Sequence, residues 1–100
     1  LEEGKTLNNI GLAYSFLSEY PKALEYLEES LEIARELGDR EVEGKPLDNI
    51  GNVYRHLYNY PKALEYYEKF LDIGTEIGDR KEISLASINI GNVYNIQSSP

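Results

Sequence analysis

Asn49-Ile50-Gly51-Asn52-Val53-Tyr54 recurs unchanged as residues 89–94, and in looser form as Asn9-Ile10-Gly11-Leu12-Ala13-Tyr14. The copies stand 40 residues apart, and the agreement spreads outward from them. Residues 1–40 and 41–80 share 23 of 40 positions, including Pro21-Lys22-Ala23-Leu24-Glu25-Tyr26 at 61–66 and Gly38-Asp39-Arg40 at 78–80. Self-similarity at such a period is the mark of a stacked array, in which each unit buries its apolar face on its neighbours. The chain divides into repeat 1 (1–40), repeat 2 (41–80) and a half repeat 3 (81–100), read together as one array and as a piece of a longer one.

Each unit reads as two helices. At 100° per residue, Leu7, Ile10, Gly11, Tyr14 and Leu17 share about a third of the circumference, the stripe of a packed helix. A Gly in that stripe costs about 1 kcal/mol against Ala, so its return in every unit implies that another helix passes close by. Pro21 and Pro61 suit the first turn of a second helix, with Asn59 as the cap in repeat 2. That helix, about 21–37, carries Ala23, Leu24, Leu27, Leu31 and Ala34 toward the first helix. Tyr26, Ser30, Ile33 and Leu37 form a flanking stripe for the next repeat. Glu25, Glu28, Glu29, Glu32 and Glu36 take the back. Gly38-Asp39 supplies a stop and the following cap. Two residues disturb the pattern. Pro46 predicts a third helix that kinks near 42–45 or starts at Pro46, and Gly74 loosens the end of the fourth.

Composition narrows the function classes. A formal charge of −8 opposes a phosphate backbone, which binds through Lys and Arg. No Cys is present, so neither disulfides nor thiolate metal sites arise. No apolar run approaches the ~20 residues of a membrane span, and Leu1-Glu2-Glu3-Gly4 does not open a signal peptide. The expected setting is cytoplasmic. With one His, no Cys and glycines that occur singly, no nucleophile–base pair, His cage or phosphate loop can be assembled. Enzyme, cofactor and metal readings are set aside.

Leu/Ile-Gly-x-x-Tyr in the first helix and Ala23 or Ala63 in the second resemble the tetratricopeptide repeat across essentially the whole chain. The 40-residue unit ending in Gly-Asp-Arg is similar to the longer units of spindle-orientation adaptors and kinesin light chains. The resemblance implies an all-α solenoid, a right-handed superhelix of hairpins with five helices in two and a half repeats. First helices would line a concave face that grips a segment of another protein, without chemistry of its own.

On the first helices, Lys5, Asn9, Leu12 and Phe16 fall within about 60° of one another. The same offsets give Lys45, Asn49, Asn52 and His56, then Leu85, Asn89, Asn92 and Ile96. Asn9, Asn49 and Asn89 form a ladder able to meet a peptide main chain with donor and acceptor, or to bond between helices and set the pitch. Leu12, Phe16 and Ile96 are anchors for a partner's side chains or packing groups for a neighbouring helix. Lys5, Lys45, Arg55 and His56 make this face less acidic than the back, with Asp48 among them, and favour a carboxylate-bearing segment. Chaperone-tail-binding members of the resembled family use a basic clamp. Asn8, Asp48 and Ile88 stand where it needs lysine, so the resemblance does not carry that function.

The leading expectation is a peptide- or protein-binding module whose partner is a protein segment, not nucleic acid or membrane. The alternative is self-assembly: Ile90 and Tyr94 on the last helix lack a covering helix and could dock on a second copy.

Overall fold

The computed structural model describes residues 2–98, which form five helices and no strand. They are α1 (Glu2–Phe16), α2 (Tyr20–Leu37), α3 (Arg40–His56), α4 (Tyr60–Ile77) and α5 (Arg80–Ser98). Their breaks follow local chemistry. Gly38 and Gly78 sit at φ 66° and 70°, left-handed positions that glycine adopts without steric cost and that end α2 and α4. The next residue starts the next helix: Asp39 accepts from the amides of Glu41 and Val42, and Asp79 from those of Lys81 and Glu82. Asn59 accepts from the Lys62 amide at 3.3 Å, as expected of a cap, whereas Glu19 makes no such bond.

Helices pack as hairpins, α1 on α2 and α3 on α4, and each second helix also packs on the following first helix. Consecutive first helices touch, α1 with α3 and α3 with α5, giving a slab of 44 × 32 × 17 Å. The core runs between the layers through Ala23, Leu27, Leu31, Leu47, Ile50, Val53, Phe70, Ile73 and Ala86, with Ala63, Tyr67 and Val93 at the α4–α5 end. The repeating glycine is a contact point. A Cβ on Gly11 would lie 2.7 Å from Leu27 Cγ, and one on Gly51 2.6 Å from Tyr67 Cε1.

Several expectations are corrected. Of the Tyr26/Ser30/Ile33/Leu37 stripe, Tyr26 and Ser30 meet their own first helix, with Ser30 Oγ donating to the Gly4 carbonyl at 2.7 Å and Tyr26 stacking on Tyr14, while Ile33 and Leu37 border a cavity shared with the next repeat. The other edge also reaches the next repeat, where Arg35 pairs with Glu43 at 3.6 Å. A second helix wedged between two first helices buries a wide arc, and periodicity alone does not say which edge meets which neighbour. Helix α3 starts at Arg40, where the Asp39 cap fixes it, rather than at Pro46, which lies fully buried within the helix. Gly74 does not loosen α4. It is buried where α5 crosses, and a Cβ there would lie 3.1 Å from Glu82 Cβ. Ile10 is 36% exposed and Leu17 67%, since among the described residues no helix covers that side of α1 at Ile10 and Leu17 falls beyond the end of α1. Ile90 is half-buried against α4 rather than open.

Candidate functional site

The amides of the first helices are joined from repeat to repeat. Asn49 Nδ2 donates to Asn8 Oδ1 at 3.0 Å, and Asn89 Nδ2 donates to Asp48 Oδ1 at 2.8 Å. Each bond runs from one residue of a repeat to the residue one place earlier in the preceding repeat. The structure therefore takes up Asn49 and Asn89 in bonds between helices. Asn9 is exposed and makes no side-chain hydrogen bond among the described residues.

The middle repeat carries a denser polar group. Tyr67, fully buried on α4, donates its hydroxyl to Asn52 Oδ1 at 2.5 Å and accepts from Arg55 Nε at 3.2 Å. Arg55 Nη2 also reaches Asn52 at 3.5 Å. Burial raises the Tyr67 phenol above its ordinary value, against the pull of Arg55. Asp48 lies one turn before Asn52. Loss of hydration pushes its carboxyl up to about 6, and the Asn89 hydrogen bond and the Arg55 charge only partly offset this. Asn52 and Arg55 thus tie α3 to α4, while their half-exposed sides border the surface.

A cavity of about 330 Å³ opens among α1, α2 and α3. Lys5 and Asn9 line it from α1 and Lys45 from α3, over an apolar wall that includes Ile33, Leu37, Val42 and Pro46. Both lysines are exposed, and neither is in an ion pair among the described residues. The structure thus brings Lys5, Asn9 and Lys45 together at one opening. Other candidates lie elsewhere. Leu12 is half-buried, and Phe16 is 81% exposed at the end of α1. His56 stacks on Tyr20 with ring centroids 5.8 Å apart. Asn92 and Ile96 are exposed on α5, as is Tyr94. Among the described residues, no cluster of His, Cys, Asp or Glu could hold a metal ion, and no helix is long and apolar enough to cross a membrane.

Asn8, Asp48 and Tyr67 are the contributors that sequence reasoning missed. A polar residue directly before the ladder asparagine in two consecutive repeats was the available signal for the first pair. For Tyr67, replacing Leu27, nothing local shows that its hydroxyl has a partner 15 residues away.

Comparison with known proteins follows the same geometry. The N-terminal domain of stress-induced protein-1 (STI-1) from C. elegans superposes with a TM-score of 0.70 over 86% of this chain, at 16% sequence identity. This chain spans 66% of that domain's length. A comparison with curated protein sequences found no match. A family model described as tetratricopeptide repeat matches residues 2–76. Helical hairpins in two layers, glycines pressed by the facing helix and this match have one meaning: the chain belongs to the tetratricopeptide repeat family, whose fold is that of a protein–protein interaction module.

Proposed function

We propose that this chain holds a segment of a partner protein against its first helices and does no chemistry on it. The carrying observation is that neighbouring first helices present groups the fold itself leaves unused. Lys5, Asn9 and Lys45 surround one cavity, and Asn92 lies farther along on α5. Phe16 and Ile96 add exposed apolar surface suited to anchoring a side chain. Asn49, Asn52 and Asn89 act as framework, setting the spacing of the helices that carry these groups.

The test separates the two kinds of asparagine. Replacing Asn9 and Asn92 together by Ala lowers retention of the partner in affinity capture and leaves the melting temperature within a degree or so, as expected for exposed sites. Asn49→Ala lowers the melting temperature, because Asn8 loses its donor, and leaves capture per folded molecule unchanged. Equal capture by the Asn9/Asn92 double variant and the parent chain would remove the reading.

Self-association is the second reading, and α5 favours it. A Cβ on Gly91 would meet nothing within 4 Å, unlike those on Gly11 and Gly51. Tyr14 and Tyr54 stack on Tyr26 and Tyr66, whereas Tyr94 is 52% exposed and stacks on no ring among the described residues. Sedimentation equilibrium decides it: a mass that rises with concentration and returns to monomer on Tyr94→Asp supports it. A constant monomer mass excludes it.

A further inference from the structure

We infer that the cavity at the α1–α2–α3 junction is a specific receptor for an apolar side chain flanked by acidic side chains in a partner segment. This deepens the partner-binding reading and rests on it. The two junctions of the molecule provide an internal comparison. At the second, the corresponding space is filled. A Cβ on Gly44 would lie 3.2 Å from the Phe70 ring and would also strike the Glu82 carboxyl. At the first, Ser30 stands for Phe70 and Val42 for Glu82, and nothing lies nearer the Gly4 Cβ position than Ile33 Cγ2 at 3.4 Å, an ordinary contact. Two otherwise similar repeats thus differ where one leaves a hole of about 330 Å³, at the small end of the ~300–1,000 Å³ typical of ligand pockets.

Charge selects the occupant. In a chain of net −8, Lys69, Arg35 and Arg40 are engaged with glutamates, whereas Lys5 and Lys45 form no ion pair among the described residues, Lys45 acting on Glu82 only at longer range. The counterpart of Lys45 at the second junction is Leu85, so the two cations converge only here. Glu41 is the one carboxylate on the lining and stands against them. Between the lysines lies the apolar wall of Ile33, Leu37, Val42 and Pro46. An aliphatic or aromatic side chain fills the wall while acidic neighbours meet the ammonium groups.

The probe is a capped hexapeptide, Asp-Glu-Leu-Phe-Glu-Asp, titrated into the ¹⁵N-labelled chain. Saturable shifts are expected at Gly4, Lys5 and Lys45. Affinity should fall about fivefold or more when the four acids become Ser, in line with loss of exposed ion pairs, and that of the acidic peptide alone should fall with added salt. The Leu-Phe pair replaced by Ser-Ser should not bind, nor should the peptide with Lys at the acidic positions. Lys5→Glu with Lys45→Glu abolishes the shifts. Ser30→Phe, which imports the second junction's plug, also abolishes them, and Leu37→Ser serves if that variant does not fold. Equal binding of the Lys-bearing peptide, or unchanged binding by the double Lys variant, overturns the inference. Shifts confined to Asn52, Arg55 and Asn92 overturn the pocket and leave the broader partner-binding reading standing. No shift anywhere also overturns the pocket, and the capture experiment then decides the broader reading separately.

Discussion

Residues 49–54 and 89–94 are the same six amino acids, and they do not share an environment. In α3, Ile50 and Gly51 are buried, and Asn52 is bonded to Tyr67. In α5, Ile90 is half-buried, and Gly91 and Asn92 are exposed. Two pairs agree, because each faces the preceding repeat: Val53 and Val93 are both fully buried, and Asn49 and Asn89 are both half-buried and donate to its first helix. The difference comes from what lies on the other side: α4 covers α3, while among the described residues nothing covers that face of α5. A repeat's sequence specifies what a helix can bury, and its neighbours decide what it does bury.

Paired substitutions test this, since context alone should separate their effects. The largest single effect is expected at the isoleucines. Ile50→Ala should cost about 4 kcal/mol in urea unfolding and Ile90→Ala roughly half as much, in line with core truncations. At the glycines the sign itself should reverse. Gly51→Ala forces a Cβ onto the buried Tyr67 ring and should destabilise by about 2 kcal/mol. Gly91→Ala meets open space and should stabilise by about 0.5–1 kcal/mol through helix propensity. Equal effects at the two sites would show that α5 is covered in solution.

Asp48 gives a smaller, pH-dependent effect. Its carboxyl, raised from 3.8 to about 6 in the folded chain, holds its proton more tightly there than when unfolded. This stabilisation is complete below 3.8 and is lost as pH rises through about 6. Asp48→Asn, which copies the Asn8–Asn49 pairing of the first junction, should flatten that slope and add about 1 kcal/mol at pH 7. Urea midpoints at pH 4 and pH 7 provide the check. The smallest pair is at the tyrosines. Tyr67→Phe should cost about 1 kcal/mol by stranding Asn52 and Arg55, and Tyr94→Phe should stay within ~0.5 kcal/mol.

Much of this was legible in advance. The 40-residue period announced the array, Gly-Asp marked each stop and start, and Asn59 read correctly as a cap. These are local signals, complete within a few residues. What stayed hidden depends on distant partners. Pro46 looked like a helix breaker because its burial and the strength of the Asp39 cap lie outside a local pattern. Part of the α2 flank, Tyr26 and Ser30, was assigned to the wrong neighbour because only the fold decides which helix each edge meets. The ladder asparagines were visible, but not that Asn49 reaches Asn8, 41 residues away. The cavity was illegible for a further reason. It is made by what Ser30 and Val42 lack beside Phe70 and Glu82.

Among the described residues, α1 touches only α2 and α3, and α5 touches only α3 and α4. Communication between the two ends must therefore pass through the central hairpin, as in a row of dominoes. Amide protons of α5, held on one side, should exchange with deuterium earlier than those of α3. A ligand that clamps α1 to α3 should slow exchange progressively less toward the far end.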